Sequence, residues 1–227
     1  PDDPLHPVPS KVFDINTPDK ANAFYLAELG LKLQDTDADF PAVYLANYLL
    51  GLSETSRLWN RVRVEDGLSY NVRSQLDASS YEPHGSWTVY AIHAPTNSEK
   101  LGNTINEVLN QTLKDGFSEQ EVKEGITALL NYRRLSRSQD AVVSSAWLNY
   151  LDLGRSFEWS EKMDQDLQKL DAQQVNAALR KYLKPQDMVV AIAADHERQK
   201  DDVAPATKTA TDVPDNAAEP ALMEAQP

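Results

Sequence analysis

Cysteine is absent from the 227 residues of this chain. Without cysteine there is no disulfide, no thiolate nucleophile and no zinc site built on sulfur ligands. Long apolar runs are absent as well, since no stretch approaches the roughly 20 apolar residues that a membrane-spanning helix needs. The sequence therefore predicts no membrane span, and it leaves the redox compartment open.

Histidine is scarce, and its spacing excludes the common zinc motifs. The four histidines are His6, His84, His93 and His196, and neither H-E-x-x-H nor the inverted H-x-x-E-H occurs in the chain. There is also no G-x-S-x-G element, no Walker loop and no G-x-G-x-x-G. We interpret His84 and His93 as surface or packing residues. The sequence thus predicts no metal site and no cofactor-binding residue within this chain.

Positive charge is in deficit, with a formal net charge of -13. From residue 201 onward, six acidic residues stand against a single lysine, so part of the excess lies in the last segment. A nucleic-acid partner needs clustered lysine and arginine to neutralise phosphates. The charge balance therefore argues against DNA or RNA binding and is compatible with a soluble enzyme.

The composition of the two ends differs from that of the middle. Residues 1–9 contain four prolines and are predicted to be a linker from a missing upstream segment. Residues 197–227 are rich in alanine, proline, threonine and acidic residues, which is typical of a disordered acidic tail. One folded domain is predicted between them, over residues 10–196.

Apolar periodicity predicts the first elements of that domain. Two strands are expected at 11–16 and 22–31, followed by a helix from Asp39 to Leu50 that ends at Gly51. A second helix is expected over residues 56–65, and the glycine after Asp66 stops it.

From Tyr70 onward the pattern changes to a period of two, which predicts a strand. A turn at 82–85 and a second alternating run complete a hairpin. Further helices are expected near 101–109, 118–130, 141–153, 160–170 and 172–183, and a buried strand at 188–194. This order predicts an α+β fold, with a mostly antiparallel sheet and helices packed on one face.

One segment, residues 56–70, can carry chemistry. Arg63 falls in the last turn of the predicted short helix, and Tyr70 opens the strand after the glycine turn. This geometry can bring a guanidinium and a phenol together at one edge of the sheet. Such a pair suits peptide hydrolysis, because a phenol can donate a hydrogen bond to an oxyanion and an arginine can hold a carbonyl or carboxylate.

A purely structural interpretation of the same residues is also available. An arginine near the C-terminus of a helix is favoured by the helix dipole, and a tyrosine at the start of a strand is common. Spacing by itself therefore leaves both interpretations of Arg63 and Tyr70 open.

Residues 56–70 resemble the second-domain motif of the insulinase/pitrilysin family of zinc peptidases, in which an arginine on a helix precedes a tyrosine by seven residues. Arg63-x6-Tyr70 has that spacing, and the element before the tyrosine is G-L-S-Y. Four other stretches look like bacterial members of the family: residues 18–23, 45–51, 115–121 and 151–155. The loop before the motif helix departs from the family pattern, since residues 51–55 contain only one glycine.

The resemblance implies a fold and an active site shared between this chain and a partner. The fold would be that of a mitochondrial-processing-peptidase-like metallohydrolase domain. A homologous partner domain or subunit bearing H-x-x-E-H would hold Zn²⁺, while Tyr70 and Arg63 of this chain would stabilise the oxyanion and bind the peptide substrate. Alone, this chain is expected to be inactive.

The alternative interpretation is a non-catalytic peptide-binding or structural subunit on the same fold, because fold does not decide function. The resemblance to exported bacterial relatives favours a periplasmic location, with the cytoplasm as the alternative.

Overall fold

Alternating apolar residues build a five-stranded sheet in this computed structural model, which describes residues 5–6 and 8–200. The strands are β1 Val12–Asn16, β2 Ala23–Leu31, β3 Ser69–Ala78, β4 Gly85–His93 and β5 Val189–Ala194. Their order in the sheet is β1-β5-β2-β4-β3, and only the β1–β5 pair is parallel. The predicted α+β class and mostly antiparallel sheet are confirmed.

Seven α-helices occur within the described part of the chain. They are α1 Phe40–Asn47, α2 Ser98–Asp115, α3 Glu119–Ser136, α4 Asp140–Asp152, α5 Phe157–Gln168, α6 Ala172–Tyr182 and α7 His196–Lys200. None of the helices in residues 5–6 and 8–200 combines the length and the apolar character needed to span a membrane. The capping box predicted at the start of α3 is present, since Ser118 and Glu121 bond each other's backbone N–H groups.

The helices cover one face of the sheet. Alternate residues of β2 and β4 point into the core, as period two requires, and Trp87 and Val89 are fully buried there. The opposite side, which we call the open face, leaves apolar side chains accessible: Phe24 is 41% exposed and Ile92 is 40% exposed. The sheet therefore has a packed side and a side available for contact.

Two helical segments differ from the predicted α-helices. Tyr48–Leu52, which continues directly from α1, and Trp59–Glu65 are both π-helical. The first helix therefore passes through Gly51 and ends at Leu52, and does not end at Gly51. A Cβ on Gly51 would lie 2.5 Å from the Cβ of Ser74, so glycine is needed there because the helix packs tightly against β3.

The predicted linker and the predicted tail lie partly outside the described residues. Helix α7 contains residues 197–200 of the segment predicted to be a disordered tail, and residues 201–227 are outside the described residues. Of the predicted linker 1–9, residues 1–4 and 7 are also outside the described residues.

Candidate functional site

Arg63 lies on the π-helical segment Trp59–Glu65, in its last turn, with its side chain at the surface. Its Nη1 donates a hydrogen bond to the backbone carbonyl of Tyr70 at 3.2 Å. The structure therefore brings the two predicted site residues together, through the main chain of Tyr70. The guanidinium carbon also lies 4.2 Å from the ring centre of Trp59, in a cation–π contact.

Tyr70 is the most exposed large hydrophobic residue of the described chain, with 88% of its surface accessible. It is the second residue of β3, where Ser69 pairs with His93 and Asn71 pairs with Ile92. Tyr70 is thus the extra residue of a β-bulge, and a bulge re-aims a side chain. Among the described residues, no hydrogen bond engages its hydroxyl, which is free to meet a ligand.

The segment between Arg63 and Tyr70 contains a tight turn, and hydrogen bonds fix the residues that follow the turn. Gly67 has a left-handed φ of 62°, which a residue with a Cβ rarely adopts. Leu68 is buried, and its N–H donates to the carbonyl of Val62 at 2.9 Å. The hydroxyl of Ser69 donates to the carbonyl of Ile92 and accepts from the N–H of Asn71, which closes the bulge.

Trp59 joins a second arginine to the site. The guanidinium carbon of Arg73, on β3, lies 4.1 Å from the centre of the same indole ring that Arg63 contacts. Burial holds the pKa of Arg73 below its ordinary value; Tyr90 and Glu54 oppose this, and the positive charge of Arg63 adds to it. Neither Trp59 nor Arg73 is among the site residues predicted from the sequence.

A buried polar network supports the strand below the site. The hydroxyl of Ser74 donates to Oδ1 of Asn47 at 2.6 Å and accepts from Nε1 of Trp87 at 2.8 Å. All three side chains are buried. The network therefore ties α1 to both strands of the β3–β4 hairpin.

A surface ion pair supports the segment that leads into the site helix. Arg57 donates to both carboxylate oxygens of Glu121, at 3.0 and 3.1 Å, and to the carbonyl of Gly116 at 2.7 Å. Burial raises the pKa of Glu121, but hydrogen bonds from Ser118 and from Arg57 outweigh burial and leave that pKa lowered. The turn between α2 and α3 thus anchors the start of the site segment.

The donor set of the described residues does not fit a metal ion. Within residues 5–6 and 8–200, no three histidine, aspartate or glutamate side chains are grouped so that they could hold one. His93 is 3% exposed, and its Nε2 lies 3.0 Å from the hydroxyl of Ser98. Burial lowers the pKa of His93, as expected of a packing residue.

Comparisons with known proteins show the family of this chain. A family model described as the Peptidase M16 inactive domain matches residues 1–129. The non-peptidase homolog YmxG of Helicobacter pylori is 21% identical over 183 residues, and the uncharacterized zinc protease YmxG of Bacillus subtilis is 31% identical over 147 residues. These alignments cover 80% and 64% of this chain, and 42% and 35% of the relatives, so the chain spans less than half of their length.

The fold also matches solved structures. A peptidase M16 inactive domain from Pseudomonas fluorescens superposes with a TM-score of 0.70 at 24% identity, covering 82% of this chain and 44% of that one. At this identity the match supports the fold alone, while the family model covers more than half of the chain. This chain therefore belongs to the M16 family of zinc peptidases, the insulinase family that its sequence resembles, and corresponds to the inactive C-terminal domain.

Proposed function

We propose that this chain is the zinc-free, substrate-binding half of a two-part zinc metallopeptidase, to which it supplies Arg63 and Tyr70. The observation that carries the proposal is their arrangement: Arg63 donates a hydrogen bond to the main chain of Tyr70, and Tyr70 is 88% exposed. A structural role would not require a large aromatic side chain to be held out into solvent. The bulge and the Gly67 turn support the same interpretation, because both direct Tyr70 outward.

In the proposed reaction, each residue contributes a hydrogen-bond donor. The Tyr70 hydroxyl donates to the oxygen of the scissile carbonyl as negative charge develops on it, and Arg63 holds a carbonyl or carboxylate of the bound peptide. Zn²⁺, which residues 5–6 and 8–200 of this chain do not fit, would be held by the H-x-x-E-H-bearing partner and would polarise the carbonyl. The proposal includes a periplasmic location, on the resemblance to exported relatives.

A second candidate is a non-catalytic peptide-binding or structural subunit on the same fold. The name of the Helicobacter pylori relative, a non-peptidase homolog, favours it. In that case peptide would still bind near Arg63, but no partner would restore hydrolysis. The two candidates differ in whether the phenol of Tyr70 affects turnover.

The test is peptide hydrolysis by this chain, assayed alone and together with its H-x-x-E-H-bearing partner, using a quenched fluorescent peptide library with zinc. We expect activity only in the mixture. Tyr70→Phe should lower kcat about a hundredfold, since removing one oxyanion donor typically costs on the order of 3 kcal/mol. Stability should change by less than about 0.5 kcal/mol, because the side chain is at the surface.

Tyr81→Phe is the control, because Tyr81 is also an exposed tyrosine of the β3–β4 hairpin, at 70% accessibility, although its hydroxyl, unlike that of Tyr70, donates a hydrogen bond to Asp152. Turnover that is unchanged in Tyr70→Phe would remove Tyr70 from the mechanism. Activity of this chain alone would mean that it contains a catalytic site of its own. Absence of activity from the mixture, with peptide still bound, would favour the non-catalytic subunit.

A further inference from the structure

Two guanidinium groups share one indole ring at the end of the open face. We call Arg63, Trp59 and Arg73 the arginine–tryptophan cluster. The guanidinium carbons lie 4.2 and 4.1 Å from the ring centre, and Trp59 is 8% exposed. Contact with a buried aromatic face limits the motion of both arginines, so the cluster presents two pre-positioned sets of N–H donors.

The positive charge of this cluster is not neutralised by the described residues. No carboxylate within residues 5–6 and 8–200 lies within 4.0 Å of a side-chain nitrogen of Arg63 or Arg73. Their side-chain hydrogen bonds go to backbone carbonyls, those of Tyr70 and Val72. Glu54 influences Arg73 through its charge but forms no ion pair with it.

Six other arginines of the described residues pair with carboxylates, among them Arg57 with Glu121, Arg61 with Asp66 and Arg155 with Asp35. Two exposed arginines, Arg134 and Arg180, form no ion pair within the described residues either, but neither shares an aromatic ring with a second arginine. Two like charges close together are unfavourable unless an anion compensates them. The cluster therefore has the electrostatic character of a site that is completed by a ligand.

The position of the cluster indicates which kind of group lies next to a bound anion. Arg73 lies opposite Tyr90 in the β3–β4 pair, and Tyr90 lies opposite Leu26 in the β2–β4 pair. Tyr90 stacks with Phe24, with ring centres 6.3 Å apart. The charged cluster thus borders an apolar strip of the open face. Because neighbouring strands are about 4.8 Å apart, adjacent side chains of one peptide can contact the cluster and the strip at the same time.

We propose that the arginine–tryptophan cluster binds a carboxylate group of the bound peptide, next to an apolar residue that lies on the open face. The carboxylate can be an Asp or Glu side chain or the peptide's C-terminus, because a guanidinium recognises either by the same paired hydrogen bonds. This deepens the proposed function and rests on it, since it names the class of peptide preferred. Because the chain as a whole carries a net charge of -13, the preference must arise from direct contact and not from long-range attraction.

The experiment measures peptide affinity with the full chain by fluorescence anisotropy. Three labelled octapeptides share an apolar sequence: one contains Glu and has an amidated C-terminus, one contains Gln and is amidated, and one contains Gln with a free C-terminus. We expect at least one carboxylate-bearing peptide to bind about fivefold more tightly than the neutral one, the size expected of an exposed charge pair. The peptide that gains affinity identifies the source of the carboxylate.

Arg73→Gln should abolish the preference, and Arg134→Gln, which removes an exposed arginine of α3 outside the cluster, should retain it. Arg73→Glu should reverse the preference towards a peptide with Lys in place of Glu, which loss of structure alone would not produce. Equal affinity for all three peptides would overturn the inference while leaving peptide binding intact. An Arg73→Gln variant that weakens the binding of all three peptides equally would also overturn it. No binding of any peptide would overturn both the inference and the peptide-binding role on which it rests.

Discussion

At the scale of single residues, the small side chain of Ser74 is expected to contribute strongly to the stability of the fold. Ser74→Ala would leave Nε1 of Trp87 and Oδ1 of Asn47 without their partner in a buried environment. An unpaired buried polar group costs about 1–3 kcal/mol, so we expect the free energy of unfolding to fall by about 2–3 kcal/mol. Urea unfolding measures this, with Ser86→Ala on the other face of the sheet as control. A loss no greater than that of the control would show that the network contributes little.

Some residues of the candidate site could be predicted from the sequence, and others could not. The spacing Arg63-x6-Tyr70 predicts their proximity, because a helix, a glycine turn and a strand leave few other arrangements. Strict alternation, however, places Tyr70 on the same face as Val72, which is fully buried. The bulge breaks that alternation, and nothing in the local sequence specifies it. Arg73 was missed because its contact with Trp59 joins two elements that only the tertiary fold brings together.

At the scale of elements, the Arg57–Glu121 ion pair connects the site segment to the start of α3. Arg57→Ala should raise the pKa of Glu121, measurable by NMR titration, because a cationic hydrogen-bond donor is removed. Since the side chain of Glu121 is 39% exposed, solvent screening limits the expected loss of stability at neutral pH to about 1 kcal/mol. The part of this difference that comes from the ion pair should shrink below about pH 4.3 and be lost as the pH falls through the lowered folded-state pKa of Glu121, while the hydrogen bond from Arg57 to the carbonyl of Gly116 does not depend on that charge.

Arg134→Ala on the exposed side of α3 is the matched control for that experiment, and its unfolding free energy should change by less than about 0.5 kcal/mol. A Glu121 pKa that stays unchanged in Arg57→Ala would mean that the backbone N–H of Ser118 alone stabilises the carboxylate.

Most elements could be predicted because their periodicity is strong. The apolar residues of α2 recur at helical spacing, and Leu101 and Ile105 are fully buried. The π-helical geometry of Trp59–Glu65 could not be predicted, since π-turns have no distinct apolar pattern in so short a segment. Gly51 was misinterpreted for a related reason: a helix end and a close helix–strand contact both favour glycine, and sequence alone does not separate them.

At the scale of the whole molecule, sequence and structure agree on the architecture. One sheet carries helices on one face and exposes an apolar strip with two arginines on the other. The chain spans 44% of the solved Pseudomonas fluorescens relative. In the proposed active site this chain supplies one half. The sequence indicates the residues that the chain contributes, Arg63 and Tyr70, but not the substrate that binds to them.

Acid stability is a property of the whole domain, and Asp164 is expected to affect it. Asp164 of α5 accepts hydrogen bonds from Arg133 of α3 and from Arg137, the residue that directly follows α3, and so joins the two helices. Burial raises the pKa of Asp164, but the two arginines outweigh burial and leave it lowered. A lowered carboxyl pKa stabilises the folded state above the ordinary value of about 3.9, and this stabilisation is lost as the pH falls through the folded-state pKa.

Asp164→Asn should therefore lower the free energy of unfolding at pH 7 by about 2 kcal/mol, since hydrogen bonds to charged groups contribute about 1.5–3 kcal/mol. The stability curves of the variant and the wild-type chain should begin to approach each other near about pH 3.9 and converge once the pH is below the lowered folded-state pKa of Asp164, because both side chains are then neutral. Urea unfolding at several pH values measures this, with Glu161→Gln on the exposed side of α5 as control. Parallel curves at all pH values would show that Asp164 acts through packing and not through its charge, in which case acid unfolding must begin at other carboxylates.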